Sequence, residues 1–291
     1  MMKFIYKEKI YTWDEWNHDQ SNFINSIELP EDFKIDINIR EISLMHDIEY
    51  SIAIDKFIEL YSMIASARSA LINAFEKFYD SNIISWDSGY KGQLWMRYQY
   101  LKNAIVWYNS CEDYIYQIIW FAYTLYPKAI SSEESYLLNL KKCNYDQILK
   151  ILGKLEGENE DAKDLKAKLK EYRDDPDVSF LREQLANNLK HRANIQVNGL
   201  EYTRMMGFSK MSKDGTEEFN GKWIEPRLID IDETIEIIKN VHIKLVAHGR
   251  FILNFMNLEN MFCTNEEGNK ILNRIRKKSD YKRIDYNNIK K

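Results

Sequence analysis

The sequence has few residues that interrupt helices. Its 291 residues include only ten glycines and four prolines, and between Pro30 and Pro127 the first glycine is Gly89. Because proline and glycine end or weaken helices more strongly than other residues do, the first part of the chain has room for long helices.

Cysteine is also scarce, and long apolar runs are missing. Cys111, Cys143 and Cys263 are too few and too scattered for a disulfide framework, and no CxxC pair offers half of a zinc site. Residues 1–10 lack the apolar core of a signal peptide, and the most apolar stretch, 114–126, is too short to span a bilayer. We therefore expect a cytoplasmic protein of a reducing compartment, with no membrane partner.

Neither sign of charge dominates the chain. Its 41 basic and 45 acidic side chains leave a formal net charge of −4, which excludes a protein that is basic throughout and coats nucleic acid. The last 22 residues differ, because nine Lys or Arg and two Asp give them a local charge of +7. This basic tail could attract RNA, keep the terminus soluble, or pair with the acidic remainder of the chain.

Apolar residues recur at helical spacing through most of the sequence. The pattern predicts two long helices, at 44–78 and about 93–126, joined by a turn at 86–92. Two such helices form an antiparallel hairpin, which is the usual start of a bundle. Shorter helices are predicted at 145–155 and, as a solvated helix, at 165–172. A long final helix runs from a capping residue, Asp230, to about 255 and is weakened at Gly249.

Two segments indicate β structure instead. Between 200 and 228 the helical period is lost, and Lys213, Asp214 and Gly215 form a turn signal between two segments that could pair as a hairpin. Strict alternation of apolar residues from Phe33 to Ile39 predicts one edge strand. The expected β content is therefore small.

One carboxylate interrupts the apolar stripe of the second long helix. Glu112 stands where every neighbour in the stripe is apolar, and an unpaired carboxylate buried there would be costly. Either it pairs with a cationic side chain of another helix, or the stripe drifts at this point and Glu112 is solvated.

The segment 178–192 carries the residues that point most directly to chemistry. Three leucines face a core: Leu181, Leu185 and Leu189. At about 100° per residue, four polar residues gather on the other side of the helix: Gln184, Asn187, Asn188 and His191. Arg192 lies one turn beyond Asn188.

This grouping suits cleavage of RNA without a metal ion. A neutral imidazole at His191 could accept the proton of a ribose 2′-hydroxyl, and Arg192 or Arg182 could bind the phosphate. Asn188 could orient the imidazole or the substrate. The same pattern is also typical of any surface helix with a leucine face, so it does not identify a site alone.

The run Asn-Asn-Leu-Lys-His-Arg at 187–192, after a long aromatic helical hairpin, resembles the motif helix of the HEPN superfamily. The resemblance implies an all-α bundle, commonly dimeric, in which an Arg, a polar residue and a His of one helix form a metal-independent ribonuclease site. Asn187 matches the polar position, and the resemblance implies that Glu112 positions an Arg or His of the motif helix.

The chain departs from the family at the arginine position. That position lies five to seven residues before the His, where this chain has Ala186, Leu185 and Gln184. The nearest upstream arginine, Arg182, precedes His191 by nine residues, which is about 180° around a straight helix.

These patterns together predict an all-α, HEPN-like helical bundle built on two long antiparallel helices, with a small β element. The predicted organisation is an N-terminal extension at 1–42, a helical domain at 43–262 with a β-like insertion at about 202–228, and the basic tail at 263–291.

The resemblance implies that the function is that of a metal-independent endoribonuclease of a toxin–antitoxin or antiphage defence system. The candidate catalytic residues are His191, Arg192, Arg182, Asn187, Asn188 and Glu112. A homodimer is expected, with RNA as substrate and neither cofactor nor metal. The alternative is a catalytically inactive HEPN-like protein that binds RNA or a protein partner, and Ala186 in the arginine position favours it.

Overall fold

The computed structural model describes residues 3–35, 47–78, 89–127, 129–191, 195–201, 204–224, 227–272 and 282–286. The described chain is mostly helical, as the sequence predicts. It divides into two compact units, each built from three segments. Unit one comprises 1–27, 68–106 and 180–240, and unit two comprises 28–67, 107–179 and 241–291. The predicted domain boundary at 42/43 lies outside the described residues.

The regular elements follow one another in this order. The helices are α1 (Trp13–Ser26), α2 (Ile48–Phe75), α3 (Tyr90–Ala122), α4 (Glu133–Leu140), α5 (Tyr145–Leu155), α6 (Glu160–Asp174), α7 (Pro176–Ser179), α8 (Asn187–His191) and α9 (Ile231–Met256). A π-helical segment, Phe180–Ala186, joins α7 to α8. The strands are β1 (Lys3–Tyr6), β2 (Lys9–Thr12), β3 (Ile195–Val197), β4 (Arg204–Met211), β5 (Glu217–Ile224), β6 (Arg227–Ile229), β7 (Phe262–Thr264) and β8 (Lys270–Leu272).

The three longest helices are those that apolar periodicity predicts, and their existence is confirmed. α2 is described from Ile48. Of the predicted turn at 86–92, residues 86–88 lie outside the described residues, and the prediction is wrong from Tyr90, where α3 already begins. α3 ends at Ala122, four residues before the predicted end, and Thr124 in the following turn has a positive φ of 49°. α9 begins after Asp230, whose side chain accepts from the backbone N–H groups of Asp232 and Glu233 as an N-cap.

Unit one begins with structure that the sequence analysis does not predict. β1 and β2 pair as an antiparallel hairpin, and α1 follows directly. Thr12 caps this helix: its hydroxyl accepts from the backbone N–H of Glu15, and the Glu15 carboxylate accepts from that of Thr12 at 2.8 Å. This reciprocal capping box is visible in the sequence as a Thr followed by Glu three residues later.

The predicted β hairpin is confirmed. β4 and β5 pair antiparallel, with Met211 opposite Glu217, and Gly215 in the turn adopts a positive φ of 83°. The hairpin is flanked by a short parallel ladder of β3 and β6, in which Ile195 lies opposite Arg227. The predicted strand at 33–39 is wrong at its start, because Phe33 ends a 3₁₀ turn, Glu31–Phe33. Ile37 and Ile39 lie outside the described residues.

Unit two contains the helical pair α5 and α6. The two helices bury one apolar face each, and the ammonium of Lys166 on α6 lies 2.7 Å from the carboxylate of Glu156, which ends α5. The solvated helix predicted at 165–172 is therefore half-buried: Leu165, Leu169 and Tyr172 all lie in the core. The spacing identified the helix but not the partner that covers its apolar face.

Gly249 has a structural reason that the sequence does not reveal. A Cβ at this position of α9 would lie 2.7 Å from Cζ of Phe33, which is fully buried. Glycine therefore permits the close approach of the Phe33 ring to the helix, at the cost of helix propensity.

Part of the basic tail is packed into unit two. Lys282 and Asp47 form an ion pair of 2.9 Å in which both side chains are buried, and Ile284 is fully buried. Arg283 lies over the ring of Phe255 at 4.9 Å. Residues 282–284 of the tail therefore pack and pair with the remainder of the chain, which is one of the three roles predicted for the tail.

Candidate functional site

The motif helix, defined here as residues 176–191, is not the regular α-helix that the sequence predicts. α7 passes into the π-helical segment at Phe180, and α-helical geometry returns only at Asn187. The expectation of one continuous α-helical register is therefore wrong. A π-helical turn takes up roughly one extra residue, so the helix downstream is rotated by about one α-helical step, roughly 100°.

The leucine face survives this rotation, and the polar residues separate. Leu181 and Leu185 are buried and Leu189 is half-buried, while Asn187 and His191 are exposed. Asn188 is buried instead, and its amide donates to the backbone carbonyl of Gln184 at 2.6 Å. Asn188 thus stabilises the junction between the π-helical segment and α8. Its predicted role, to orient the imidazole or the substrate, requires an exposed side chain, and Asn188 is not exposed.

An arginine from β6 approaches the motif helix. The Arg227 guanidinium donates through Nη1 to the side-chain oxygen of Gln184 and lies over the ring of Phe180, at 5.4 Å from the centroid. Gln184 occupies one of the three positions at which HEPN nucleases carry their arginine. The parallel pairing of β3 with β6 positions Arg227, and no local spacing in the sequence signals this contact.

Arg182 and Arg192 are the two arginines of the predicted site. Arg182 is half-buried in the π-helical segment, and Nη2 lies 3.2 Å from a carboxylate oxygen of Glu183. The π-helical turn reduces its predicted separation of about 180° from His191 by roughly one residue step. Arg192 lies outside the described residues.

Glu112 is buried, with 7% of its surface exposed, so the solvated alternative is wrong. Its carboxylate accepts from the Tyr116 hydroxyl and from Nη1 of Arg173 at 3.1 Å. Arg173 also donates to the Tyr116 hydroxyl at 2.9 Å and lies over the ring of Tyr145. A cationic partner for Glu112 is thus found, but it lies on α6 and not on the motif helix, so the prediction of a motif-helix partner is wrong.

This cluster belongs to unit two, whereas His191 and Asn187 belong to unit one. Burial raises the pKa of Tyr116, and the Glu112 charge adds to that effect, so the phenol stays protonated and donates. Within unit two the cluster therefore ties α3 to α6.

Two further histidines are buried in unit two. The ring of His242 lies between the Tyr108 hydroxyl, 2.9 Å from Nδ1, and the backbone carbonyl of Glu28, 3.0 Å from Nε2. Because that carbonyl only accepts, Nε2 carries the proton and Nδ1 accepts from Tyr108. His248 stacks on Tyr172 at 4.4 Å. Both side chains are parts of the core.

The part of the chain that the structure describes contains neither a cluster of metal-ligating residues nor a membrane-spanning helix. Among those residues, no group of three or more His, Cys, Asp or Glu side chains could hold a metal ion. No helix among them combines the length and the apolarity that crossing a membrane requires.

Comparison with known proteins leaves the resemblance to HEPN proteins resting on these residues alone. No protein-family model matches the chain, and no curated protein and no solved structure is significantly similar to it.

Proposed function

We propose that this protein is a HEPN-like, metal-independent endoribonuclease that acts through His191. The observation that supports it best is the contact between Arg227 and Gln184. It brings a guanidinium to the motif helix at a position where the family carries an arginine and this sequence does not. Gln184 lies in the π-helical segment, and His191 ends α8 seven residues later.

The chemistry follows from the exposed imidazole and the nearby guanidinium. His191 accepts the proton of a ribose 2′-hydroxyl, and the resulting oxygen attacks the adjacent phosphorus. The bond to the 5′-oxygen breaks, and that oxygen takes up a proton from water. The products are a 2′,3′-cyclic phosphate and a free 5′-hydroxyl. Arg227 stabilises the negative charge that develops on the phosphoryl oxygens, a task that suits the planar guanidinium. Exposed Asn187 contacts the substrate beside His191.

The same resemblance supports a homodimer in which two motif helices flank one RNA strand, within a toxin–antitoxin or antiphage system. Light scattering on the purified protein measures its mass directly. A mass twice that of the 34.9 kDa chain supports the dimer, whereas a monomer that cleaves RNA contradicts it.

A catalytically inactive HEPN-like protein that binds RNA or a protein partner is the second candidate. Ala186, at an arginine position of the family, is fully buried. Among the described residues, no hydrogen bond orients the His191 ring, whereas general bases are usually held by a third group. A binding protein needs neither feature.

Cleavage of a mixed RNA pool in EDTA separates the two candidates. We expect wild type to cleave, and His191→Ala to cleave at least a hundredfold more slowly. Arg227→Ala loses roughly a hundredfold, and Arg227→Lys stays impaired because an ammonium lacks the forked geometry. Lys190→Ala, an exposed change beside the site, is the control and keeps the wild-type rate.

Two results would decide against cleavage through His191. If His191→Ala cleaves as fast as wild type, the nuclease activity belongs to another site or to a contaminant. If no variant cleaves but the protein shifts RNA in a binding assay, the inactive alternative is correct.

A further inference from the structure

A cavity in unit one has no role in the proposed nuclease site. It has a volume of about 550 Å³ and lies against the β1–β2 hairpin, the end of α2 and the first turns of α9. Aromatic and aliphatic side chains form its apolar wall: Tyr6, Tyr11, Phe75 and Ile235. The side chain of Lys77 also faces it.

The backbone at Lys77 is held in place by the preceding residue. The Glu76 carboxylate accepts from the backbone N–H groups of Lys77 and Phe78, at 3.0 and 2.9 Å. The other oxygen of the same carboxylate accepts from the Gln20 side chain at 2.6 Å. The backbone that carries the Lys77 side chain is therefore held just after α2 ends.

The ammonium of Lys77 lies among aromatic rings. Only 9% of the residue is exposed, and Nζ lies 4.2 Å from the ring centroid of Phe75, 4.8 Å from that of Trp16 and 5.3 Å from that of Tyr6. In the described part of the chain, no carboxylate pairs with this nitrogen and no acceptor hydrogen-bonds to it. The other two lysines of the cavity are paired, Lys7 with Asp232 and Lys9 with Asp19.

The surroundings of Lys77 favour the neutral amine. Burial lowers its pKa to about 8, and the charge of Arg97 adds to that effect, as Lys9 does more weakly, while Asp232 and Asp19 oppose it. The aromatic faces attract the charged ammonium, so they also oppose the lowering of the Lys77 pKa. Arg97 is the second cation beside Lys77: its fully buried guanidinium donates to the backbone carbonyl of Ala74 and to Asp232. A desolvated lysine beside a second cation is the arrangement that makes an amine nucleophilic near neutral pH.

We propose that Lys77 is a carbonyl-reactive amine, which condenses with a small uncharged aldehyde or ketone bound in this cavity. The lone pair of Nζ attacks the carbonyl carbon, and the carbonyl oxygen takes up a proton. Loss of water with the remaining nitrogen proton then forms the C=N bond of an imine. The process needs no oxidant or reductant.

The walls of the cavity determine the class of carbonyl compound. Four carboxylates line it against Lys77 and the two paired lysines, so a negatively charged ligand is disfavoured. The carboxylates are Glu8, Asp232, Glu233 and Glu236. The rings of Tyr6, Tyr11 and Phe75 favour a flat or apolar body. An uncharged aromatic aldehyde meets both conditions.

Reductive labelling of the full chain with benzaldehyde and sodium cyanoborohydride tests this proposal, with peptide mapping to locate the modified lysines. Lys102 is the internal control: it is half-buried, burial lowers its pKa, and it lies over the ring of Tyr98 at 4.8 Å, but it does not line the cavity. We expect Lys77 to be labelled at least tenfold faster than Lys102, with a rate that saturates as benzaldehyde increases.

The proposal is overturned if Lys77 is labelled no faster than Lys102, or if its rate stays linear in benzaldehyde, since a linear rate means that no complex forms. Lys77→Arg keeps the positive charge but cannot form an imine. We therefore expect this variant to lose the saturable part of the benzaldehyde labelling. Because the decisive comparison uses wild-type protein, it does not depend on the folding of the variant.

Discussion

Arg97 places a full positive charge inside unit one. Its guanidinium is completely buried and donates to the backbone carbonyl of Ala74 at 2.8 Å, to the Tyr6 hydroxyl and to the Asp232 carboxylate at 2.7 Å. Removing one partner of a buried ion pair leaves the other charge uncompensated, which costs more than the pair itself contributes. We therefore expect Asp232→Asn to lower the free energy of unfolding by roughly 3 kcal/mol at pH 7, measured by urea denaturation.

This loss depends on pH. Burial raises the pKa of Asp232, but Arg97 and the hydrogen bonds from Lys7, Arg97 and Tyr6 outweigh it and lower that pKa to about 2. The carboxylate thus stabilises the fold above its ordinary pKa near 4, and this contribution is lost as the pH falls towards 2. Glu160→Gln, which breaks an exposed pair with Lys163, serves as the control and costs less than about 1 kcal/mol. Equal losses in both variants would contradict the buried-charge argument.

His248 gives stability a second dependence on pH. In this case the neutral form of the side chain, and not the charged form, is the one that the fold favours. Burial lowers its pKa to about 4, with smaller and opposing effects of Glu171 and Lys168, so the folded protein holds the ring neutral. In the unfolded chain the ring takes up a proton at about pH 6.5. The contribution of the neutral ring to the free energy of unfolding is therefore fully present above pH 6.5, and roughly 3 kcal/mol of it is lost as the pH falls from 6.5 to 4.

His248→Phe tests this directly, since phenylalanine keeps the stack on Tyr172 and cannot be protonated. Nε2 of His248 has no hydrogen-bond partner among the described residues, so the variant loses no hydrogen bond at pH 7. We expect urea denaturation to give a flatter dependence of stability on pH between 6.5 and 4. An unchanged slope would mean that the ring is protonated in the folded protein.

At the scale of elements, the π-helical segment determines which residues of the motif helix share a face with Gln184. Deletion of Ala186 would remove the extra residue and allow residues 176–190 to form a regular α-helix. Leu181, Leu185 and the original Leu189 would then lie at i, i+4 and i+7, so the apolar face is kept. Leu189 and His191 would keep their direction relative to Leu181, because the deletion removes the residue that the π-helical segment takes up. His191 would however lie six residues instead of seven after Gln184, and would turn by roughly 50° relative to it.

We therefore expect the Ala186 deletion to keep its helix content by circular dichroism and to lose RNA cleavage at least a hundredfold. Ala186→Gly removes the same methyl group without changing the number of residues, so it separates the effect of register from that of packing. A deletion variant that cleaves like wild type would show that the π-helical segment has no part in the site.

Periodicity predicted what depends on local spacing, and long-range pairing decided the rest. α2, α3 and α9 follow from apolar repeats, and the β4–β5 hairpin follows from its turn residues. The hairpin of β1 and β2 is not predictable from turn residues, because its turn has no glycine or asparagine and Lys7 adopts the positive φ of 53° there. The π-helical segment was missed because the leucine spacing fits both kinds of helix.

The candidate site shows the same division. The sequence identified the exposed His191 and the burial problem of Glu112, which both depend on position within one helix. It could not identify Arg173 as the partner of Glu112, or Arg227 as that of Gln184, because these contacts join residues 61 and 43 positions apart. The helix that supplies a partner is a property of tertiary packing.

At the scale of the whole molecule, the charge asymmetry of the sequence is partly resolved within unit two. The tail contributes Lys282 to a buried pair with Asp47, and Asp47 also accepts from the backbone N–H of Tyr50 in the first turn of α2. Ile284 and Tyr286 are buried in the same unit. The segment 282–286 therefore contributes to the core although its composition is that of a solvated terminus.

Truncation distinguishes packing from charge as the role of this segment. Removing 282–291 exposes the cavity that Ile284 fills and leaves the Asp47 carboxylate without Lys282, and each of these changes alone costs about 3 kcal/mol. Removing only 287–291 deletes two lysines but keeps the buried residues, so it controls for the lost positive charge. We expect urea denaturation to show a loss of at least about 3 kcal/mol for the longer truncation and little change for the shorter one.

If both truncations keep the stability of the full chain, the tail is a solvated terminus after all, and its charge is then free to act on RNA. In that case the salt dependence of RNA binding should weaken in proportion to the basic residues removed.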